Sequence, residues 1–382
     1  MNLNNTKTKL ISVLKRQGFT YENGTINING KSKSNLRSIN KTAVDHLLKK
    51  NKQLIIEHDE EFISKYIANG NEINPSLIRP KLVYFDSLDK EKNNLFNWVK
   101  LHWSIPISAG YGRRLRYLVF DEYNNKLIGI IGLADPVYAL KDRDSYIGWG
   151  NKTKAKNLRY IMDGFVIGAV PPYSLILGGK LVASLIASKQ VADDFYKKYK
   201  NQKSLISGRK FDGKLVAVTT SSAFGKSAMY DRIKIPNGPE FLHVGWSKGS
   251  GEFQFSNGEY KKLLEIAKIT NKNIGKNSLW GSGPRNKRVV IRSALRELGL
   301  SQKLLYHGIK RELFLVPLCK NWKEVLTSRN KQLRPLENST GYISNYIINR
   351  WMIPRTERDK SYYKFNASSY SLIPFTLKNS SG

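Results

Sequence analysis

The chain has 382 residues, of which 40% are hydrophobic and 11% aromatic, so it can build a sizeable core and wholesale disorder is excluded. Its 64 Lys and Arg against 30 Asp and Glu leave a formal net charge of +34, which attracts polyanions and makes nucleic acid the first partner to consider. A single cysteine, Cys319, excludes a disulfide framework, and the lack of a long apolar run or signal-peptide core predicts a cytoplasmic protein without a membrane partner.

Residues 1–80 are predicted to form a mainly helical N-terminal region. Leu10, Ile11 and Leu14 recur at helical spacing, and a similar stripe lies in residues 42–51. Between them, an Asn-Gly pair flanked by alternating isoleucines predicts a short hairpin at residues 21–31. Two prolines in residues 71–80 indicate a connector to the next region.

Residues 81–270 are predicted to form the central domain, of the mixed α/β (α+β) class with flanking helices. The predicted order is a hairpin, a long strand, a loop, a buried helix, a strand, a short helix and a strand. The corresponding segments are 116–120 with 127–133, 159–170, 171–179, 180–199, 215–220, 226–233 and 240–245.

The C-terminal third is strongly basic. Residues 271–338 are expected to complete the core with a helix and a strand, and residues 339–382, rich in Ser, Asn and Tyr, to form an extended tail. Within residues 282–299, helical spacing aligns arginines in one stripe, while Val289, Ala294, Leu295 and Leu298 are expected to pack on the body. The stripe predicts a phosphate-binding surface, with an ordinary solvated face as the alternative; its members are Arg285, Arg288, Arg292 and Arg296.

A second basic cluster combines arginines with aromatic residues. Arg113, Arg114 and Arg116 follow His102 and Trp103, and arginine forks bind phosphates while aromatic faces stack on unpaired bases. The alternative is that Trp103 belongs to the core and the arginines pair with nearby carboxylates.

Acidic residues beside Arg143 suggest a catalytic site. Asp144 next to Arg143 has the pattern of an oriented general base, or equally of an ion pair that fixes a loop. Arg143 is also a candidate nucleic-acid contact. Together with Asp135 and Asp163, Asp144 leaves a metal-dependent nuclease open as an alternative. The five histidines show no metal-ligand spacing, so no metal site is predicted from them.

The segment 219–227 (TTSSAFGKS) is predicted to follow a buried strand and precede a helix. Ser221, Ser222 and Lys226 there suit an anion cradle at a helix N-terminus, or a capping loop. It is not a Walker A loop, because Thr220 stands where that motif needs glycine. Just beyond it, Tyr230 and Asp231 can supply a phenol and a carboxylate, with core packing as the alternative for Tyr230.

Several runs of this sequence resemble the DruA-like family, which is named for a component of the Druantia anti-phage defence system. The resemblance implies a role in phage–host conflict or mobile DNA, and it brings no assigned reaction or catalytic residues with it. The runs are WSIPISAGYGRRLRYL (103–118), LIGIIGLADPV (127–137), RDSYIGW (143–149), MDGFVIGAVPPY (162–173), TTSSAFGKSAMYDR (219–232) and HGIKRELFLVPL (307–318).

The predicted element order is also similar to the GCN5-type acyltransferase fold, a fold attributed to the phage DNA-modification protein Mom. That likeness implies a pyrophosphate loop before the buried helix, with Gly178, Gly179, Ser221 and Lys226 as cofactor-binding residues for acyl-coenzyme A. It also implies that Tyr230 protonates a leaving thiolate. The loop departs from the pattern of those enzymes, because LILGG (175–179) has no basic or amide residue at its head.

Three functions follow from these patterns. The first is DNA binding with transfer of a group to a base, in which Asp144, Ser222, Tyr230 and Asp231 are the catalytic candidates and the base is extruded from the duplex. The second is a non-catalytic DNA-recognition subunit that recruits a helicase or nuclease. The third is the metal-dependent nuclease. A gap between strands 159–170 and 215–220 beside Gly178 is the expected mark of cofactor binding.

Overall fold

A computed structural model describes residues 3–30, 32–203, 208, 210–256, 258–272, 274, 284–328 and 331–373, without the side chains of residues 284 and 285. The predicted mixed α/β class is confirmed. The strands are β1 Phe19–Glu22, β2 Thr25–Ile28, β3 Pro80–Phe85, β4 Arg114–Asp121, β5 Leu127–Ala134, β6 Ile161–Ala169, β7 Ala217–Ser221, β8 Leu242–Trp246 and β9 Glu312–Pro317.

Helices flank the strands on both sides. Serine side chains cap three of them: Ser32, Ser188 and Ser339 each accept a hydrogen bond from the backbone N–H of the third residue of α2, α8 and α12, respectively. The helices are α1 Leu3–Arg16, α2 Lys33–Lys50, α3 Lys52–Tyr66, α4 Lys90–Lys100, α5 Lys141–Ile147, α6 Asn151–Asn157, α7 Gly178–Leu185, α8 Lys189–Tyr199, α9 Glu259–Thr270, α10 Pro284–Glu297, α11 Trp322–Thr327, α12 Thr340–Ile347 and α13 Ile353–Arg358.

Among the described residues the main sheet has seven strands in the order β3-β4-β5-β6-β7-β9-β8. Neighbouring strands are antiparallel except β6 and β7, which are parallel. Because successive side chains of a strand point to opposite faces, Tyr117 and Val119 of β4 pack towards α7 and α8, whereas Leu118 packs towards α3 and α4. We call these the α7 face and the α4 face.

A second core lies away from the sheet and joins distant parts of the chain. Leu10 and Leu14 of α1 are buried together with Ile291 and Leu295 of α10, and the β1–β2 hairpin and α9 complete the cluster. Val290, Ile291, Ala294 and Leu295 of α10 face this core, as does Leu298 just after the helix. The sequence-based expectation for Val289 was wrong, since its side chain is 48% exposed; the buried stripe runs through the next two residues instead.

Two predicted elements of the central domain differ from the observed ones. The buried helix predicted over 180–199 is two helices, because Ser188 caps the start of α8. The helix predicted over 226–233 is a series of turns at residues 228–232, and Arg232 has a φ of 62°, which is incompatible with a right-handed helix.

The tail segment 339–382, predicted to be extended, contains α12 and α13 in its described part. Ile343, Ile347 and Met352 of this segment join the main core, and that burial explains why it is helical despite its polar composition. Within the residues described, no helix is both long and apolar enough to span a membrane.

Candidate functional sites

The two parallel strands of the central sheet pair over only part of their length. β6 pairs with β7 only from Ile161 to Gly164, and then continues to Ala169 paired with β5 alone. Phe165 is an extra residue in the β5–β6 register, since Gly132 pairs with Val166 and Leu133 with Gly164. Such a bulge bends a strand, and β7 itself ends at Ser221, one residue after its last pair with β6. We call the point where the β6–β7 pairing ends the fork.

Asp163 lies at the base of the fork. Its carboxylate accepts a hydrogen bond of 2.6 Å from the hydroxyl of Thr219, its register partner on β7. Burial raises the pKa of Asp163, while the Thr219 hydrogen bond and the charge of Arg143 act in the opposite direction. A carboxyl group whose pKa is raised in this way holds its proton to higher pH than an exposed aspartate does, which is a property of many general acids and bases. In the sequence, Asp163 stood out only as a single acidic residue within a predicted apolar strand.

Tyr111 adds a phenol to the same environment. It lies in the loop between α4 and β4, and burial together with the charges of Asp163 and Asp135 raises the pKa of its hydroxyl. Its phenol therefore stays protonated at neutral pH and can act as a hydrogen-bond donor. The sequence placed Tyr111 in the basic and aromatic cluster that precedes β4, and it gave no sign that Tyr111 lies near Asp163.

Asp144 is engaged in a buried ion cluster. Its two carboxylate oxygens contact the guanidinium of Arg143 at 2.6 Å and the ammonium of Lys154 at 3.0 Å. Arg143 is fully buried and also donates to the carbonyl oxygens of Val137 and Tyr138. This arrangement corresponds to the structural alternative, an ion pair that fixes a loop.

The loop after β7 is attached to the start of β9. The Ser222 hydroxyl donates to the carbonyl of Gly225 and accepts the N–H of Glu312 at 3.0 Å, so it is fixed by the backbone around it. The N–H of Ser227, which the predicted anion cradle required, donates to the Glu312 carboxylate at 2.7 Å. A carboxylate thus occupies the position expected for a ligand anion.

Lys226 and Ser221 lie at the surface of this loop. Lys226 is exposed and Ser221 half-buried. Lys226 borders a shallow cleft of about 320 Å³ between the loop and the start of α2, where Lys33 provides a second cation. Asp231 lines the same cleft, so its charge partly offsets those of the two lysines.

Tyr230 is a core residue of the α7 face. Its ring stacks on Phe241 at 5.3 Å, and its hydroxyl lies 3.3 Å from that of Thr220, beside the fork. Burial raises the pKa of Tyr230 to about 12. Its neighbour Asp231 is exposed and faces Arg232 at 3.6 Å. The structure therefore separates these two side chains, since one is buried and the other is exposed.

The glycine pair begins α7, as predicted, and packing explains both residues. A Cβ on Gly178 would lie 2.7 Å from the carbonyl oxygen of Tyr173, and one on Gly179 would lie 3.0 Å from the sulfur of Met229. The adjacent Lys180 is buried, and its ammonium donates to the carbonyl oxygens of Met229 and Asp231. The turn containing Met229 thus covers the start of α7, where the pyrophosphate loop was expected.

The arginines before β4 differ in their surroundings. Arg113 pairs with Asp135 at 2.6 Å and donates to two backbone carbonyls, so the fold engages it fully. Arg114 is exposed, and Arg116 donates to the side chain of Asn93. Lys100 lies close to these two cations, and burial together with their charges lowers its pKa to about 8. Arg114, Arg116 and Lys100 thus form a positive cluster on the α4 face.

The arginine stripe lies on α10, outside its buried face. Arg292 and Arg296 are exposed, and no acid pairs with either among the described residues. Arg288 is half-buried and pairs with Glu252 at 2.7 Å. The side chain of Arg285 lies outside the described part of the structure.

No group of three or more His, Cys, Asp or Glu side chains in the described part of the chain is placed to hold a metal ion. Asp135, Asp144 and Asp163 therefore do not form the cluster that a metal-dependent nuclease needs. His307 is buried, and burial lowers its pKa to about 3, so it is neutral. His243 lies 4.0 Å from Glu312.

The fold and these sites define a strongly basic, mixed α/β protein built on a sheet that is antiparallel except for one pair of strands. The family model described as Druantia protein DruA matches residues 30–328. Druantia protein DruA of Escherichia coli (strain UMEA 4076-1) is 34% identical over 363 residues, which cover 94% of this chain and 89% of the relative. The chain therefore belongs to the Druantia DruA family, as its sequence motifs predicted. No solved structure matches it.

Proposed function

We propose that this protein is a DNA-binding component of anti-phage defence and that the outer face of α10 contacts the phosphate backbone. The observation that carries the proposal is the placement of Arg292 and Arg296, one helical turn apart, exposed and without an acidic partner among the described residues. Family membership supports the defence role. The recruitment of a helicase or nuclease partner stays a prediction.

Electrostatics favours a polyanion on this face. Two arginines on successive turns repel each other, and a phosphate backbone that binds between them removes that repulsion and releases counterions. The buried stripe of α10 anchors it to α1 and α9, so the arginines project from a fixed helix.

Recognition explains the site residues better than catalysis does. Asp144 and Ser222, two of the predicted catalytic residues, are engaged by the fold, and Tyr230 is in the core. A protein that binds DNA and brings a partner to it needs none of them in a reactive state. This supports the non-catalytic interpretation of the sequence over the other two.

The test is the salt dependence of duplex DNA binding by the full chain. Each lost phosphate contact reduces the magnitude of the negative slope of log K against log salt by about 0.9, so Arg292→Gln with Arg296→Gln is expected to reduce that magnitude by about 2. Lys360→Gln with Lys364→Gln is the matched control, because it removes the same charge from exposed positions far along the chain. Equal slopes for the two double variants would contradict the proposal.

The fork favours a second candidate function, transfer of a small group to DNA. Beyond Gly164 the backbone of β6 has no partner on β7, and the ionisable carboxyl of Asp163 lies one residue before that point. If this function holds, nucleosides from DNA co-expressed with the protein carry a mass shift that Asp163→Asn abolishes. An unchanged nucleoside profile with wild-type protein would exclude the transfer.

A further inference from the structure

An exposed aromatic group lies on the surface formed by α5, α6 and α11. The rings of Tyr146 and Trp322 are nearly parallel, 3° apart in plane and 6.2 Å apart between centroids. Tyr138 projects beside α5 and is 56% exposed, and Tyr146 is 37% exposed. We call these three residues the aromatic platform.

Lysines surround the aromatic platform. The ammonium of Lys323 lies 5.9 Å from the centre of the Tyr146 ring, and that of Lys154 lies 4.7 Å from the centre of the Tyr138 ring. Four further lysines on α5, α6 and the segment before α11 are exposed: Lys141, Lys152, Lys156 and Lys320.

The acidic residues of this surface are already engaged. The Asp142 carboxylate accepts the backbone N–H of Trp246 at 2.8 Å, and that of Asp144 is held by Arg143 and Lys154. Glu324 pairs with Arg334 at 3.0 Å. The net field above the rings is therefore positive, and it is complementary to a phosphate chain.

The aromatic platform is held in place from beneath. The indole N–H of Trp149 and the side-chain amide of Asn157 both donate to the carbonyl of Leu326 at 2.7 Å, which joins α5 and α6 to α11. Buried Arg143 donates to the carbonyls of Val137 and Tyr138 and fixes the loop that carries the Tyr138 ring. Rings held this way lose little conformational entropy when a ligand stacks on them.

We propose that the aromatic platform binds unpaired nucleotides of a single-stranded nucleic acid. Exposed aromatic faces surrounded by cations provide base stacking and phosphate attraction together, whereas an intact duplex hides the faces of its bases. The inference rests on the proposed function, since it assigns a second, single-strand surface to the same DNA-binding protein. Duplex contacts on α10 and single-strand contacts here would suit a protein that works where a duplex opens.

The experiment measures affinity of the full chain for a single-stranded oligonucleotide and for an oligonucleotide of equal length that lacks its bases. Stacking contributes about 1–3 kcal/mol per base, so Tyr146→Ser is expected to weaken binding of the normal strand by about fivefold or more. The base-free strand, which offers phosphates only, should bind wild-type and variant chains equally. Tyr146→Phe retains the ring and should bind as the wild type does.

Tyr196→Ser is the matched control, because Tyr196 is 41% exposed and has the ammonium of Lys200 4.6 Å from its ring centre, but lies on α8. Equal affinities of Tyr146→Ser and Tyr196→Ser for the normal strand would overturn the inference. If duplex binding still depends on Arg292 and Arg296 in that case, the proposed function stands without it. If the wild-type chain binds no DNA at all, the proposed function itself is contradicted.

Discussion

The hydroxyl of Thr219 donates to the carboxylate of Asp163 across the last pair but one of the β6–β7 ladder. This hydrogen bond joins the two strands one residue before the ladder ends at Gly164 and Thr220. It also partly compensates a carboxyl group that burial would otherwise drive strongly towards its neutral form. Because the pKa of Asp163 is raised in the folded protein, its ionisation can be detected in how the free energy of unfolding depends on pH.

Asp163→Asn is expected to make the protein more stable relative to the wild type as pH rises. The folded-state pKa of Asp163 is raised above its ordinary value of 3.8, so the native protein resists ionisation that the unfolded chain accepts. The wild type therefore loses about 1.4 kcal/mol of stability for each pH unit from about pH 4 up to the folded-state pKa. Asparagine keeps the oxygen that Thr219 donates to and has no charge to bury.

The measurement is the free energy of unfolding in urea between pH 4 and pH 8. Asp193→Asn serves as the control, since Asp193 is a surface residue paired with Lys189 and its replacement relieves no buried charge. A difference between Asp163→Asn and wild type that stays constant over this range would contradict the assignment of Asp163 as a buried, ionisable group.

Lys180→Met is expected to destabilise the protein. The lysine ammonium donates to the carbonyls of Met229 and Asp231, and leaving such acceptors unpaired costs about 1–3 kcal/mol. Burial lowers the pKa of Lys180 to about 8. The wild type therefore gains stability relative to the variant as pH rises from about 8 to about 10.5, where the folded protein is relieved of a buried charge.

Thermal or urea unfolding at pH 7.5 and at pH 10 measures both effects. Lys189→Met, at an exposed position nearby on α8, removes the same charge without exposing buried carbonyl groups. The role of Lys180 is refuted if both variants lose the same stability at both pH values.

Local patterns predicted most of the central sheet correctly, because the information lies in consecutive residues. The all-buried β5 is a continuous apolar run, and α10 follows from Pro284 at its start and apolar residues at helical spacing. The turns at 228–232 were missed because their conformation depends on partners distant in sequence. Glu312 accepts the N–H of Ser227, and Lys180 binds the carbonyls of this turn.

The candidate site residues show the same division. The exposure of Arg292 and Arg296 follows from helical spacing, so the sequence predicted it. The engagement of Asp144 depends on Lys154, ten residues away on another helix, and on the burial of Arg143. The pairing of Asp163 with Thr219 requires the strand register, which no single segment of sequence contains. The prediction that Asp144 is catalytic stays separable from its structural role by experiment.

Asp144→Asn is expected to cost about 3–5 kcal/mol of stability, since removing one member of a buried ion cluster leaves uncompensated charge on Arg143 and Lys154. Asp231→Asn, at a site whose side chain is 63% exposed, should change stability by less than about 0.5 kcal/mol. Urea unfolding compares the two. A stable Asp144→Asn protein that has lost its biological activity would return Asp144 to the catalytic candidates.

Alanine at the two glycines that begin α7 tests how tightly the start of this helix is packed. Gly178→Ala places its methyl group 2.7 Å from the backbone oxygen of Tyr173, which cannot move without shifting the preceding turn; a loss of about 1–3 kcal/mol is expected. Gly179→Ala meets the flexible side chain of Met229 at 3.0 Å. Methionine can change rotamer, and alanine favours helix over glycine by about 1 kcal/mol, so this variant should be near neutral. Urea unfolding of the two variants measures the difference. Equal losses of unfolding free energy would mean that Met229 is as rigidly fixed as the backbone of Tyr173.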